Sequence, residues 1–211
     1  MNFKKWLFSA AMMLSLSVAQ GAIVEGRDYE VLKSPIAQAN KTKVEVLEFF
    51  SYTCIHCRNL EPHFVKYTKT APSDVAFRQV HIVWGDNMLP WAKLAAAVNI
   101  SKAGDTVSPA IFNTVFNEKR NLANPKVMKE WLDKQSTPAG KLVAKNFNSF
   151  AAANEAKAMQ KMTMDYKIDS TPRIIVGGKY QVIMRDVSTA MNVVDELVQK
   201  VRQERGMKKP A

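Results

Sequence analysis

Cys54 and Cys57 are the only cysteines in this 211-residue chain, and Ile55 and His56 are all that separates them. Sulfurs at this spacing can pass between dithiol and disulfide with little backbone movement. As a structural staple the pair does little. Closing so short a loop stabilises a fold by roughly 2 kcal/mol on the chain-entropy model, against about 3 kcal/mol for a fifteen-residue loop. A histidine directly before the second sulfur strengthens a chemical reading, because a cationic or hydrogen-bonding neighbour lowers a thiol's pKa and the thiolate is the reactive form. The chain reads as a redox device.

Residues 43–52 are nearly continuous in β-branched and aromatic residues, as expected of a strand buried on both faces. Beyond the cysteines, Leu60, Phe64 and Tyr67 recur at helical spacing. The cysteines therefore fall where a strand turns into a helix, and Pro62 predicts a kink one turn in. Peptide dipoles and unpaired N–H groups at a helix's amino end favour negative charge. Cys54 is expected there as the stabilised thiolate, with Cys57 in the first turn as its resolving partner. His56 can donate to the Cys54 sulfur or add positive charge beside it. Stabilising the reduced form makes the disulfide a stronger oxidant, so the protein should give its disulfide away. Glu48 lies six residues before Cys54. Its bland reading is an outward-facing residue near a strand end, and the reading followed here is a buried proton acceptor beneath the disulfide. Arg78 on the next strand is a cation that could tune it.

Two other readings of the cysteines compete. Half of a zinc site is one, but only His56, His63 and His81 remain as histidines. His63 is turned about 240° from Cys57 on the same helix, and His81 belongs to a separate strand. An inert disulfide is the other, and it contributes little stability. Thr171-Pro172 opens a later strand and, taken alone, is a loop proline.

The rest of the chain organises around these residues. Residues 1–22 carry Lys4 and Lys5, an apolar run over 6–18 and small residues at Ser17, Ala19, Gly21 and Ala22, the pattern of a cleaved secretory signal peptide. Export places the cysteines where disulfides persist. Of 30 basic residues, removing two signal lysines leaves 28 against 19 acidic, a net charge of +9. The lysines are scattered and no nucleic-acid motif is visible, so a solvated basic surface is expected and no nucleic acid. Strands are expected at 29–32 and 75–84. Four or five helices and no strand are expected between about 87 and 165, with starts at Ser108 before Pro109, Asn124 before Pro125, and Ser149. Residues 173–176 and 179–184 around Gly177-Gly178 predict a hairpin. Ser188 is expected to cap a last amphipathic helix. The division that follows is a signal at 1–22, a first core part at 23–86, an inserted helical domain at 87–165, a second core part at 166–205, and a flexible tail at 206–211.

The run Glu48-Phe49-Phe50-Ser51-Tyr52-Thr53-Cys54-Ile55-His56-Cys57, with Pro62 five residues on, resembles the active-site region of the DsbA family of bacterial thiol–disulfide oxidoreductases, in the thioredoxin superfamily. Thr171-Pro172 is similar to that superfamily's cis-proline loop. The resemblance implies an α/β thioredoxin fold with an inserted all-helical domain. It implies catalysis by Cys54, Cys57 and His56, with Glu48 beneath them and Thr171-Pro172 holding an extended substrate segment. No cofactor beyond the Cys54–Cys57 disulfide is implied. The implied setting is periplasmic, the implied partners are unfolded secreted proteins with free thiols and a membrane quinone-linked reoxidase of DsbB type, and the protein is expected to be a monomer. Ile-His stands where Pro-His is familiar, and threonine precedes the proline where many oxidases have valine. An isomerase or reductase of the same superfamily is the alternative enzyme, although no room for a separate dimerisation domain is expected before the core strand. A client-binding chaperone that uses its methionines, or copper handling through Cys54, His56 and methionines, are the readings outside that class.

Overall fold

In a computed structural model, residues 22–38 and 40–208 are described, and the signal expected at 1–22 lies outside them except for Ala22. A five-stranded mixed sheet forms the centre, in the order β1-β5-β4-β2-β3. β2 (Val44–Phe50) is flanked by β3 (Val75–His81), parallel, and by β4 (Arg173–Val176), antiparallel. β5 (Tyr180–Val182) joins β4 to β1 (Tyr29–Val31), both pairings antiparallel. All of β2 except the half-buried Glu45 is buried, which explains its continuous apolar run. Gly177 and Gly178 both take positive φ in the β4–β5 turn, the conformation a two-residue hairpin requires. A Cβ on Gly178 would meet the Ile36 carbonyl at 2.0 Å, so this glycine also lets the chain before β2 dock on the hairpin.

Helices cover both faces. On one side, α1 (Ile55–Thr70) and α7 (Val187–Glu204) pack Leu60, Phe64, Val194, Leu197 and Val198 against Val44, Val46, Ile174 and Val176. The second face carries a 3-10 turn (Asp86–Met88) and five helices inserted between β3 and β4. They are α2 (Leu89–Ile100), α3 (Gly104–Phe116), α4 (Pro125–Asp133), α5 (Pro138–Phe147) and α6 (Phe150–Asp165). α2 is apolar nearly all round and lies against α5 and α6, as a helix at the heart of a core must. This is the α/β sheet with inserted helices that the sequence predicts.

Several local expectations shift. Asn124 and Ser149 cap α4 and α6, but Ser108 and Pro109 sit inside α3, where the Ser108 hydroxyl is buried against Tyr52. Asp186, not Ser188, caps α7 by accepting from the Thr189 N–H. Pro62 lies inside α1, which runs unbroken past it. β3 stops at His81, and Trp84 instead donates its indole N–H to the Ile168 carbonyl. Within the expected tail, Met207 packs against the α1/α7 core, and 209–211 are outside the described residues.

α7 is tied to the chain entering β3 by Arg202, which grips Asp74 through Nε at 2.7 Å and a terminal nitrogen at 2.6 Å. The two side chains are only 7% and 13% exposed. Truncating one partner of a buried pair leaves the other charge uncompensated. Arg202→Ala should therefore lower unfolding free energy by about 3 kcal/mol. Chemical denaturation should show a lower midpoint at constant slope.

Candidate active site

β2 delivers the chain to the site and α1 begins there. Cys54 is the N-cap of α1, and its sulfur accepts from the Cys57 backbone N–H at 3.3 Å. An anion at this position completes a helix donor that has no intrahelical partner. The Cys54 thiol is brought down to about 5, chiefly by a hydrogen bond from the Cys57 thiol. The Thr171 side chain and the backbone N–H groups of Cys57 and His56 add to this, against the cost of partial burial. Cys57 is fully buried and is driven the other way by the same sulfur–sulfur contact, by burial and by the nearby Glu48 charge. The sulfurs are therefore unequal: one is half-buried and acidic, the other enclosed and holding its proton.

The loop before Cys54 is braced from beneath. Ser51 accepts the Cys54 N–H at its carbonyl and the Thr53 N–H at its hydroxyl. The Tyr52 hydroxyl meets Ser108 of α3 at 3.1 Å, and its ring packs edge-on against Phe50 and Phe112. His81 accepts the Tyr52 N–H at Nε2, at 3.2 Å. Its Nδ1 faces the Ile82 carbonyl at 2.8 Å and must donate, so the imidazole is neutral. Complete burial lowers its pKa to about 4, which agrees with that tautomer.

Across the sheet end, the Thr171-Pro172 peptide is cis, and the Thr171 carbonyl lies 3.6 Å from the Cys54 sulfur. This juxtaposition spans 117 positions of sequence. The His56 imidazole is exposed, and the His56 backbone N–H is among the donors that lower the Cys54 pKa. Glu48 is completely buried, on the face of β2 that also carries Val44 and Val46 and that α1 covers. Gln79, in register with it on β3, donates to its Oε2 at 2.8 Å, while Oε1 has no partner. Burial, then the Glu61 charge, holds the Glu48 carboxyl well above the usual range. Arg78, considered as its cation, is in register with Leu47 on the opposite face and pairs with Glu155 at 2.5 Å.

Glu61, Gln79 and His81 were not singled out for the site from the sequence. Glu61 offered a usable signal: it follows Cys57 by four residues, and Leu60 and Phe64 beside it mark the buried side of α1. Gln79 and His81 carried none beyond being polar in an apolar strand. Among the described residues no cluster of three or more histidine, cysteine or acidic side chains could hold a metal ion.

A family model described as Thioredoxin matches residues 33–196. The thiol:disulfide interchange protein DsbA of Burkholderia cepacia is 33% identical over 204 residues, covering 92% of this chain and 96% of its own. The crystal structure of reduced DsbA1 from Neisseria meningitidis superposes with a TM-score of 0.84 at 43% identity, over 88% of this chain and 98% of that one. Pseudomonas aeruginosa DsbA superposes at 0.76 with 26% identity, over 86% and 95%. With relatives aligned almost end to end in sequence and in three dimensions, this chain belongs to the DsbA family of thiol–disulfide oxidoreductases.

Proposed function

We propose that the protein is an exported dithiol oxidase that donates a Cys54–Cys57 disulfide to newly secreted proteins. The observation that carries this reading is the unequal pair: an acidic sulfur capping α1, and a buried one with its pKa pushed up. A client thiolate attacks the Cys54 sulfur, the Cys54–Cys57 bond breaks, and Cys57 leaves with the electron pair and takes up a proton. The client's second thiolate then attacks its own sulfur in the mixed disulfide and displaces Cys54 as a thiolate. Two electrons have passed from client to protein. The easily ionised Cys54 is the good leaving group in that last step.

In the return half-cycle the Cys54 thiolate attacks a disulfide of a membrane quinone-linked reoxidase of DsbB type. Cys57 must then lose its proton before it can attack Cys54 and close the ring. Glu48, buried below it and electrostatically felt by it, is the acceptor in our reading. The cis peptide at Thr171-Pro172 lies where an extended client segment can pair beside the reacting sulfur, and the exposed Ile55 offers it an apolar contact. The exposed His56 imidazole stands on the solvent side of the pair, where it can donate to the Cys54 sulfur in this reading. The signal pattern in 1–22 supports periplasmic action on unfolded chains with free thiols.

Cys57→Ser loaded with glutathione as a mixed disulfide on Cys54 should lose the glutathione to a single-thiol client that attacks the Cys54 sulfur, leaving the client bound there as a mixed disulfide. Release of glutathione without any client adduct on Cys54 would falsify the direction of attack. In the reduced protein, ultraviolet thiolate absorbance should report Cys54 ionising near pH 5, against about 8.5 for free cysteine. Thr171→Val removes a donor to the sulfur and should raise that midpoint by on the order of one unit, with His56→Ser shifting it in the same direction. Stability should follow the same sign. A depressed folded pKa favours the reduced fold fully above the free-cysteine value, and the advantage is lost as pH falls through about 5. The disulfide form has no such group. Reduced-minus-oxidised stability, measured by denaturant, should therefore grow as pH rises between those limits.

A further inference from the structure

His81 ends β3 fully enclosed, and both of its ring nitrogens are committed. Nδ1 donates to the Ile82 carbonyl at 2.8 Å, which leaves Nε2 as an acceptor only. That acceptor takes the Tyr52 N–H at 3.2 Å. The ring has little room to turn. It stacks on Trp91 of α2 at an interplanar angle of 4° and meets Phe50 edge-on, with centroids 5.3 Å apart. Phe50 and His81 are also register partners in the β2–β3 pair, and the Ile82 N–H donates to the Phe50 carbonyl at 2.9 Å.

What the imidazole holds is one peptide unit with two working ends. The N–H of the Ser51–Tyr52 peptide donates to His81, and the carbonyl of the same peptide accepts the Cys54 N–H at 3.0 Å. Peptide planarity makes these two groups move together. A rotation that breaks the bond to the imidazole also swings the carbonyl away from Cys54. Hydrogen bonds in series polarise one another in a dry interior, so the chain from imidazole through peptide to Cys54 N–H acts as a unit. Ser51 reaches the other sulfur too, since its own backbone N–H is among the donors acting on Cys57. Water has little access to this chain, because Ser51, Tyr52 and His81 are all buried.

We propose that His81 is a positioning residue for the dithiol, holding the Cys54 backbone through the Ser51–Tyr52 peptide so that the sulfur stays on the donors at the start of α1. It touches neither sulfur, and no bond to it forms or breaks during thiol–disulfide exchange. Its effect falls on the reduced state. The Cys54 thiolate depends on donors of the first helical turn at a fixed distance, whereas a Cys54–Cys57 disulfide is held by its own covalent bond. Loosening the Ser51–Tyr52 peptide therefore weakens the thiolate more than the disulfide, which raises the Cys54 pKa and makes the disulfide a weaker oxidant. An imidazole that only filled space would affect both redox forms alike and leave that balance alone. The inference rests on the reading of Cys54 as the ionised sulfur.

Two substitutions in the whole protein test this. His81→Gln carries its side-chain oxygen out to the position of Nε2 and can still accept the Tyr52 N–H. His81→Asn is also a polar amide, but its shorter side chain ends near the position of Nδ1 and cannot. Thiolate absorbance should place the Cys54 midpoint of His81→Asn on the order of one unit above wild type, and the glutathione equilibrium should move about tenfold toward the disulfide. His81→Gln should keep both quantities close to wild type. If both variants shift alike, or neither shifts, the proposal is overturned. A wild-type Cys54 that itself titrates like free cysteine removes the reading beneath it, and this inference falls with that reading. Should His81→Asn fold poorly, nitrogen-15 NMR of the reduced wild type decides. A coupling between the Tyr52 and His81 Nε2 nitrogens, with an Nε2 shift that follows Cys54 ionisation, supports the link; no coupling, or a shift indifferent to Cys54, overturns it.

Discussion

One hydrogen bond organises this molecule: the Cys57 backbone N–H donated to the Cys54 sulfur at the first turn of α1. It holds the Cys54 sulfur at the N-cap, where the Cys57 thiol, the Thr171 side chain and the unpaired donors of the turn can all donate to it, and so decides which sulfur is the anion. Cys57, three residues on, must point inward with the buried side of α1, beside Leu60, Glu61 and Phe64. Acidity on one sulfur and enclosure of the other are thus consequences of a single helix start. Both matter for the proposed cycle, in which one sulfur receives attack while the other waits.

Such a helix start must be held still, and the sheet does this indirectly. β2 ends at Phe50, and the next residues are fixed by contacts from three elements: His81 at the end of β3, Ser108 in α3, and the Ser51 turn itself. The neutral imidazole can accept the Tyr52 N–H only while Nδ1 carries its proton to Ile82, so burial of His81 and the shape of the loop support one another. β4 then brings Thr171-Pro172 to the opposite side of the sulfur. The inserted helices therefore contribute to the site through the brace at Tyr52.

The legible part of this arrangement was the part encoded locally. The apolar run of β2, the Cys-x-x-Cys spacing, the glycine pair of the hairpin and the Asn124 and Ser149 caps each state their conformation within a few residues. Ser108-Pro109 mimics a helix start equally well, yet its serine is needed in the core against Tyr52, and tertiary packing overrode the local signal. Ser188 is a residue type that caps helices, but so is Asp186 two positions earlier, and the carboxylate is the one that accepts the Thr189 N–H. The pairing of Glu48 with Gln79 was invisible for a different reason. It depends on the register of two strands joined by a helix, and a shift of one residue would have placed Arg78 there instead.

That register has an electrostatic consequence. With Arg78 turned toward Glu155, no cation among the described residues pairs with Glu48, and the Cys54 thiolate is stabilised by oriented donors: a thiol, the Thr171 side chain and helix N–H groups. Negative charge on Cys54 in turn pushes the proton onto Glu48, and negative charge on Glu48 pushes the proton onto Cys57. The three groups therefore exclude one another's ionisation. In the reduced protein the cheapest arrangement puts the single negative charge on the exposed sulfur, where solvent and the helix end can share it. The buried positions then stay neutral until Cys57 is called on to react. Forming the disulfide leaves burial and the Glu61 charge to hold the proton on Glu48 and removes only the smaller push from Cys54. That push links the redox state of the pair to the protonation of the acid beneath it.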